Sequence, residues 1–201
     1  MPAVTHRVRI SWHVAGMELV AIEPTAGEVA AHAAALARAY NDPANATLLG
    51  HTDELSQSDV IEHYADLADE GARQFLLYVD GELAGDGDLR GLADDAAEFA
   101  FLIGRPASQG KGLGTRFALM LHAFGFAPTP LGAGLDRIYA SVVPDNAASL
   151  RVFAKLGYHE DGSAAAREWA DEHTDVVLSI DRPTFVGSRH PGVDDIVIAR
   201  R

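Results

Sequence analysis

The segment QGKGLG, residues 109–114, constrains the fold more than any other stretch because it places three glycines directly before a helical pattern. Residues 113–124 repeat large apolar side chains at helical spacing, so they predict a helix that begins at the glycines. Glycine allows unusual backbone turns and lets a ligand come close to the main chain. Free N–H groups at a helix start favour an anion, so the pattern indicates a phosphate site. A flexible loop before an ordinary helix is the alternative interpretation.

Two familiar phosphate-binding loops do not match this segment. A P-loop needs glycine, four residues and then Gly-Lys-Ser/Thr, but here five residues separate the corresponding glycines and Lys111 is followed by glycine. A dinucleotide-binding loop needs a third glycine where Thr115 stands, and its preceding strand belongs to a parallel unit. We therefore predict a pyrophosphate cradle in which the N–H groups of residues 110–115 contact the phosphates.

The remaining apolar patterns predict an α+β fold with one domain. The predicted order is a strand, two helices, three antiparallel strands, a helix, a strand, a helix and one or two further strands. Two capping boxes, Thr25 to Glu28 and Ser56 to Asp59, begin the first two helices, and Asp80-Gly81 predicts a hairpin turn. We expect a mixed, mostly antiparallel central sheet of about six to seven strands, flanked by helices on both faces.

Local spacing predicts the individual elements. Residues 17–22 predict the first strand, and residues 41–51 predict a loop between the first two helices. The apolar stripes of those helices are, in order, Val29, Ala33, Leu36 and Tyr40, and then Ile61, Tyr64 and Leu67 or Ala68. We assign residues 1–180 to the domain, and residues 181–201, rich in proline, glycine and charge, to a C-terminal extension packed on it.

The composition disfavours several classes of protein. With 16 Lys and Arg against 29 Asp and Glu, the net charge of −13 disfavours a nucleic-acid partner and would attract a cationic or amine-bearing one. Acidity that only keeps the protein soluble is the alternative interpretation. The chain has no cysteine and its nine histidines follow no metal-binding spacing, so we expect neither a disulfide nor a metal site. Without a long apolar run or a secretion signal, we expect no membrane partner and a cytoplasmic location.

Two motifs in the expected order resemble the GNAT-type N-acetyltransferases. QGKGLG is similar to the Gln/Arg-x-x-Gly-x-Gly/Ala motif of that superfamily, and AEFAFLIGRPASQGKGLGT (97–115) resembles its central strand and loop. The segment LDRIYASVVPDNAASLRVFAKLGY (135–158) resembles its strand-then-helix unit. The spacing of Asn146 and Ser149 is most similar to the RimJ/RimL-like branch, which acetylates N-terminal α-amines of ribosomal proteins. That branch also contains small-molecule and antibiotic acetyltransferases.

The resemblance implies an acetyltransferase domain over residues 1–180 that uses acetyl-CoA as cosubstrate and no metal. The acceptor is an amine, either a peptide N-terminus or a small polyamine, antibiotic or amino-acid-like molecule; an inactive CoA-binding module is the other hypothesis. The implied cofactor-binding residues are Phe101, Leu102, Ile103, Gln109, Gly110, Lys111, Gly112, Leu113, Gly114, Thr115, Asn146, Ser149 and Phe153. A homodimer is a further hypothesis, with residues 126–134 and 181–201 as candidate interface or lid segments.

The expected chemistry needs a base for the amine and an acid for the leaving thiolate. An α-amine with a pKa near ~7.8 needs only a weak base, whereas a lysine-like amine near ~10.4 needs a stronger one. The resemblance implies Glu98 as the base, acting through water, and an ordinary solvated strand glutamate is the alternative. It implies Ser149 as the acid, and a helix serine that bonds its own backbone is the alternative. Phe153 departs from the family pattern, since many members carry a tyrosine acid at that position.

Overall fold

A nine-stranded sheet organises the computed structural model, which describes residues 6–49, 53–93, 95–104 and 111–201. The strands are β1 (Val8–Val14), β2 (Met17–Ile22), β3 (Arg73–Val79), β4 (Glu82–Ala93), β5 (Ala96–Ile103), β6 (Arg137–Val142), β7 (His159–Glu160), β8 (Val176–Asp181) and β9 (Val197–Arg200). Their order across the sheet is β7-β8-β6-β5-β4-β3-β2-β1-β9. Neighbours are antiparallel except for β5 and β6, which are parallel.

Helices cover both faces of this sheet. They are α1 (Ala26–Tyr40), α2 (Pro43–Leu49), α3 (Gln57–Asp69), α4 (Leu113–Phe126), α5 (Ala147–Leu156), α6 (Ala164–Arg167) and α7 (Arg182–Gly187), followed by a 3-10 helix (Val193–Asp195). Alternate residues of β3 separate the two cores, because Leu76 packs with α1 and α3 while Phe75 and Leu77 pack with α4. The predicted α+β class with helices on both faces is confirmed. Within the described ranges, no helix is long and apolar enough to cross a membrane.

The local signals for helix starts and for the hairpin are confirmed. Thr25 Oγ1 accepts the Glu28 N–H at 3.2 Å, and Glu28 accepts the Thr25 N–H at 2.8 Å, so both arms of the first capping box form. Ser56 and Asp59 form the same pair of bonds at the start of α3. Asp80 and Gly81 have φ angles of 50° and 82°, the left-handed geometry of the tight turn that joins β3 to β4.

The expected number of strands was too low. The sheet gains β1 from the N-terminal segment, the short β7, and β9 from the last residues. Val8, Ile10 and Trp12 are buried in alternation, which is a half-buried strand pattern that the sequence already carried. Residues 181–201 contribute α7 and an edge strand, since Ile198 of β9 pairs with Ile10 of β1.

Two predictions around the first helices were wrong in detail. Residues 43–49 form α2 rather than a loop, because Pro43 suits a first helical position and the Asp42 side chain accepts the Ala44 N–H at 3.0 Å. On α3, Tyr64 and Leu67 are buried as predicted, but Val60 is buried in place of Ile61, which is 40% exposed.

Candidate active site

Two adjoining cavities open where β5 and β6 separate. The parallel pairing of these strands covers only three rows and ends at Glu98 and Tyr139, although β5 continues to Ile103. One cavity has a volume of about 430 Å³ and the other of about 380 Å³. Phe101, Leu102, Asn146 and Ser149 line both, so the two spaces meet at the gap between the strands.

The larger cavity, here the glycine groove, follows the start of α4. Its lining residues are Asn45, Leu48, Leu49, Phe101, Leu102, Ile103, Gly112, Leu113, Gly114, Thr115, Asn146, Ala148, Ser149, Arg151, Val152 and Lys155. Most of the predicted cofactor-binding residues therefore lie together along one space. Gln109 and Gly110 lie outside the described residues. Lys111 does not line the groove; it is exposed, and its carbonyl accepts a hydrogen bond from Arg116 at 2.7 Å.

The start of α4 presents backbone N–H groups to this groove. Gly112 precedes the helix with a left-handed φ of 74°, and no side chain in the described part of the chain caps the helix. A residue other than glycine is strained in that conformation. A Cβ on Gly114 would lie 3.1 Å from the Phe101 ring, so bulk at this position has little room. The first turn of α4 therefore lines the groove with no side-chain cap among the described residues.

Arg151 and Lys155 add two cations that sequence reasoning missed. Both line the glycine groove from α5, four residues apart and therefore on one face of that helix. Their spacing in the predicted helix was the available signal. Together with the N-terminus of α4 they make the groove suitable for phosphate groups.

Asn146 and Ser149 are placed at the junction of the two cavities. Asn146 Oδ1 accepts the Ser149 N–H at 3.0 Å and caps α5, while its Nδ2 donates to the Leu48 carbonyl at 3.3 Å. Within the part of the chain that the structure describes, the Ser149 hydroxyl bonds no helix carbonyl, unlike Thr47, which donates to the Pro43 carbonyl. Ser149 therefore keeps its hydroxyl for another partner.

The smaller cavity, here the acidic cavity, has a wall of carboxylates. Its lining residues are Tyr40, Leu48, Leu49, Leu55, Asp59, Val60, His63, Asp86, Gly87, Asp88, Arg90, Glu98, Phe99, Ala100, Phe101, Leu102, Ser141, Val142, Val143, Asn146, Ser149, Phe153, Asp171 and Asp175. Six of these are acidic, whereas Arg90 and His63 are the basic ones. The space therefore favours a cationic occupant.

Glu98 lies buried in the acidic cavity, 7% exposed. Burial, opposed by Arg90 and assisted by the nearby Asp171 and Asp88, raises the pKa of its carboxyl to about 7. Arg90 stands opposite Glu98 across the β4–β5 pair. A carboxylate with this pKa can accept a proton near neutral pH, so the burial fits the predicted base better than a solvated strand glutamate.

Sequence reasoning missed most of the acidic wall. Asp86 and Asp88 alternate along β4 and so share a sheet face with Arg90 and Glu98. Arg90 Nε donates to Asp88 Oδ1 at 2.8 Å. The strand period, applied to the sequence Asp-Gly-Asp beside the predicted Glu98 strand, was the signal that could have found the two aspartates.

Phe153 lines the acidic cavity rather than the glycine groove. It is 3% exposed and packs edge-on against Phe99, Phe101 and Tyr158, with ring centroids 4.9–6.1 Å apart. Its role toward a cofactor stays a prediction. Among the residues that the structure describes, no group of three or more acidic, histidine or cysteine side chains could hold a metal ion.

Comparisons with known proteins identify a family and relatives with similar sequences. Residues 28–159 match the family described as "Acetyltransferase (GNAT) domain". Spermidine N(1)-acetyltransferase of Escherichia coli K12 is 33% identical over 96 residues, which are 47% of this chain and 49% of the relative, so the match spans about half the length of that relative.

Solved structures share the fold over a longer range. The aminoglycoside acetyltransferase AAC(6')-Ib in complex with coenzyme A has a TM-score of 0.70 at 20% identity, covering 85% of this chain and 99% of that one. Mycobacterium smegmatis RimJ in complex with CoA-disulfide has a TM-score of 0.71 at 18% identity, covering 96% and 93%. Since the family match extends over more than half of the chain, the protein belongs to the GNAT acetyltransferase family.

Proposed function

We propose that the protein transfers the acetyl group of acetyl-CoA to a primary amine of a small acceptor that carries more than one positive charge. The observation that carries this proposal is that two cavities lined by opposite charges meet. The glycine groove offers two cations and a helix N-terminus, and the acidic cavity beside it offers six carboxylates. Phosphates and amines would therefore enter from different sides and meet where β5 and β6 separate.

The glycine groove fits coenzyme A by its shape and its charges. The N–H groups at the start of α4 would hold the pyrophosphate, with Arg151 and Lys155 near the phosphate-bearing end. The backbone of Phe101 to Ile103, beyond the last row paired with β6, would bind the amides of the pantetheine arm as an added strand does. This arrangement directs the thioester toward Glu98 and Ser149.

The side chains at the junction account for the proton transfers. Glu98 accepts a proton from the acceptor ammonium, directly or through a water, and the neutral nitrogen then attacks the thioester carbon. The attacking nitrogen is then positively charged, and the tetrahedral intermediate collapses with loss of the CoA thiolate as this second proton passes to that sulfur through the Ser149 hydroxyl, or to solvent. The Ser149 hydroxyl can donate to that sulfur, although a thiolate with a pKa near that of cysteine, about 8.5, leaves readily and needs little help.

The acidic wall favours a small polycation over a peptide N-terminus. A single α-amine needs one carboxylate for its charge, whereas this cavity also contains Asp59, Asp86, Asp171 and Asp175. The names of the relatives agree with this choice, since one refers to spermidine and one to aminoglycosides, both polyamines. The N-terminal α-amine of a protein is the second candidate, and the overall likeness to RimJ keeps it in the test.

The acceptor class predicts a salt effect on the acetylation rate. At low ionic strength we expect kcat/KM for spermidine to exceed that for a monoamine of similar size by roughly tenfold or more. The reason is that the carboxylates attract the additional positive charges of spermidine. Moderate salt should narrow this ratio. Release of the CoA thiol measures both rates. Two results would contradict a polycationic acceptor. One is a ratio near one at every salt concentration, and the other is a faster reaction with the N-terminus of a peptide that has no charged side chains.

A further inference from the structure

One carboxylate oxygen of Asp86, which lines the acidic cavity, has no hydrogen-bond partner among the residues that the structure describes. Asp86 is 4% exposed, and its Oδ2 accepts hydrogen bonds from the hydroxyls of Tyr40 and Tyr64, the latter at 2.7 Å. Its Oδ1 is buried and accepts no hydrogen bond from any residue that the structure describes. Leaving a buried charged oxygen unpaired is costly, so this position favours a ligand that brings a donor.

Two other aspartates of the wall, one half-buried and one buried, already have hydrogen-bond partners. Asp88 is held by the Arg90 guanidinium, and Asp175 Oδ2 accepts the Ser141 hydroxyl at 2.9 Å. The two tyrosines from α1 and α3 fix the Asp86 carboxylate from one side, so its second oxygen is the one left for an occupant of the cavity. Burial raises the pKa of Asp86 to about 6, and the group is therefore ionised at pH 8.

We infer that Asp86 binds a second ammonium group of the acceptor, remote from the amine that is acetylated; this rests on the proposed function. The sheet register sets the distance between the two groups. Asp86 lies in the row of Leu102 and Glu98 in the row of Arg90, four residues along β4. At a strand rise of about 3.3 Å per residue the rows are about 13 Å apart. An acceptor must therefore be long enough to reach Asp86 while its other nitrogen lies beside Glu98.

The test compares pairs of amines that differ only in the distal nitrogen. At pH 8, we expect the wild type to acetylate 1,8-diaminooctane with a kcat/KM about tenfold or more above that of octylamine. In Asp86→Asn this ratio should fall to within about threefold of one, because the diamine loses the partner of its second nitrogen and octylamine has no second nitrogen to be affected. Asp66→Asn removes a charge from the exposed surface of α3 outside the cavity, so it should keep the wild-type ratio.

The short pair 1,3-diaminopropane and propylamine gives a check that needs no variant. The shorter diamine cannot span the two rows, so the wild type should show a ratio within about threefold of one. An equal ratio for the long and short pairs, or a ratio that survives in Asp86→Asn, overturns the role of Asp86 and leaves acetyl transfer intact. Acetyl-CoA binding without acetylation of any of these amines overturns the proposed function and Asp86's role together.

Discussion

Glu98→Gln is expected to lower kcat/KM by about 10²- to 10⁴-fold, the range typical for loss of a general base. Glutamine preserves the size of the side chain in the acidic cavity and removes the group that takes the proton. The affinity for acetyl-CoA, measured by calorimetry, should stay unchanged because Glu98 lines the acidic cavity and not the glycine groove. Glu62→Gln, an exposed glutamate on α3, serves as the control and should keep full activity.

The pH dependence of the rate tests the role of Glu98 as a base independently. Burial raises the pKa of Glu98 to about 7, and a base acts only when ionised, so kcat/KM should rise with pH and level off above about 7. A bound cationic acceptor favours the ionised carboxylate, so the midpoint for kcat should lie at lower pH than that for kcat/KM. The rise near pH 7 should vanish in Glu98→Gln. A variant that keeps both the rate and the profile would remove Glu98 from the reaction.

The second large effect is expected at the start of α4. Gly112→Glu places a carboxylate where the pyrophosphate would bind, and charges about 4 Å apart near a protein surface repel by about 4 kcal/mol. We therefore expect acetyl-CoA affinity to fall by roughly 100-fold or more in a calorimetric titration. Acetyl transfer at limiting acetyl-CoA should fall in parallel.

A matched substitution separates this repulsion from backbone strain. Gly112 and Gly71 have similar left-handed φ angles, 74° and 85°, and Gly71 lies in open space after α3. Gly71→Glu adds a similar backbone strain and the same charge away from the groove, so its acetyl-CoA affinity should equal that of the wild type. Equal losses of affinity in both variants would mean that the glycine loop does not hold the phosphates.

The signals that sequence reasoning used correctly are local ones. Capping boxes, the Asp80-Gly81 turn and the apolar pattern of α4 each involve residues close together in the sequence, and each element forms where it was predicted. The edge strand β9 was not predicted because it pairs with β1, which lies at the opposite end of the chain. Such long-range pairing leaves only a weak trace in a short, mostly exposed segment.

The candidate site also has one part that local sequence predicts and another that depends on long-range packing. Most of the residues that line the glycine groove lie on β5 and at the starts of α4 and α5, which the two sequence motifs cover, so they could be named from sequence. The acidic cavity assembles Asp59 from α3, Asp86 from β4 and Asp171 from the segment after α6, and only the sheet and helix packing bring them together. Their charge was visible in the composition, but its concentration around Glu98 was not.

The most direct test of the account is a competition in one reaction. The reaction contains limiting acetyl-CoA and equal amounts of three acceptors: spermidine, an aminoglycoside, and a peptide that has a free N-terminus and no charged side chains. Mass spectrometry then identifies the acetylated product. The account predicts that acetyl groups accumulate on one or both polyamines at low salt, and that Glu98→Gln forms far less product. Acetylation of the peptide in preference to both polyamines would contradict it.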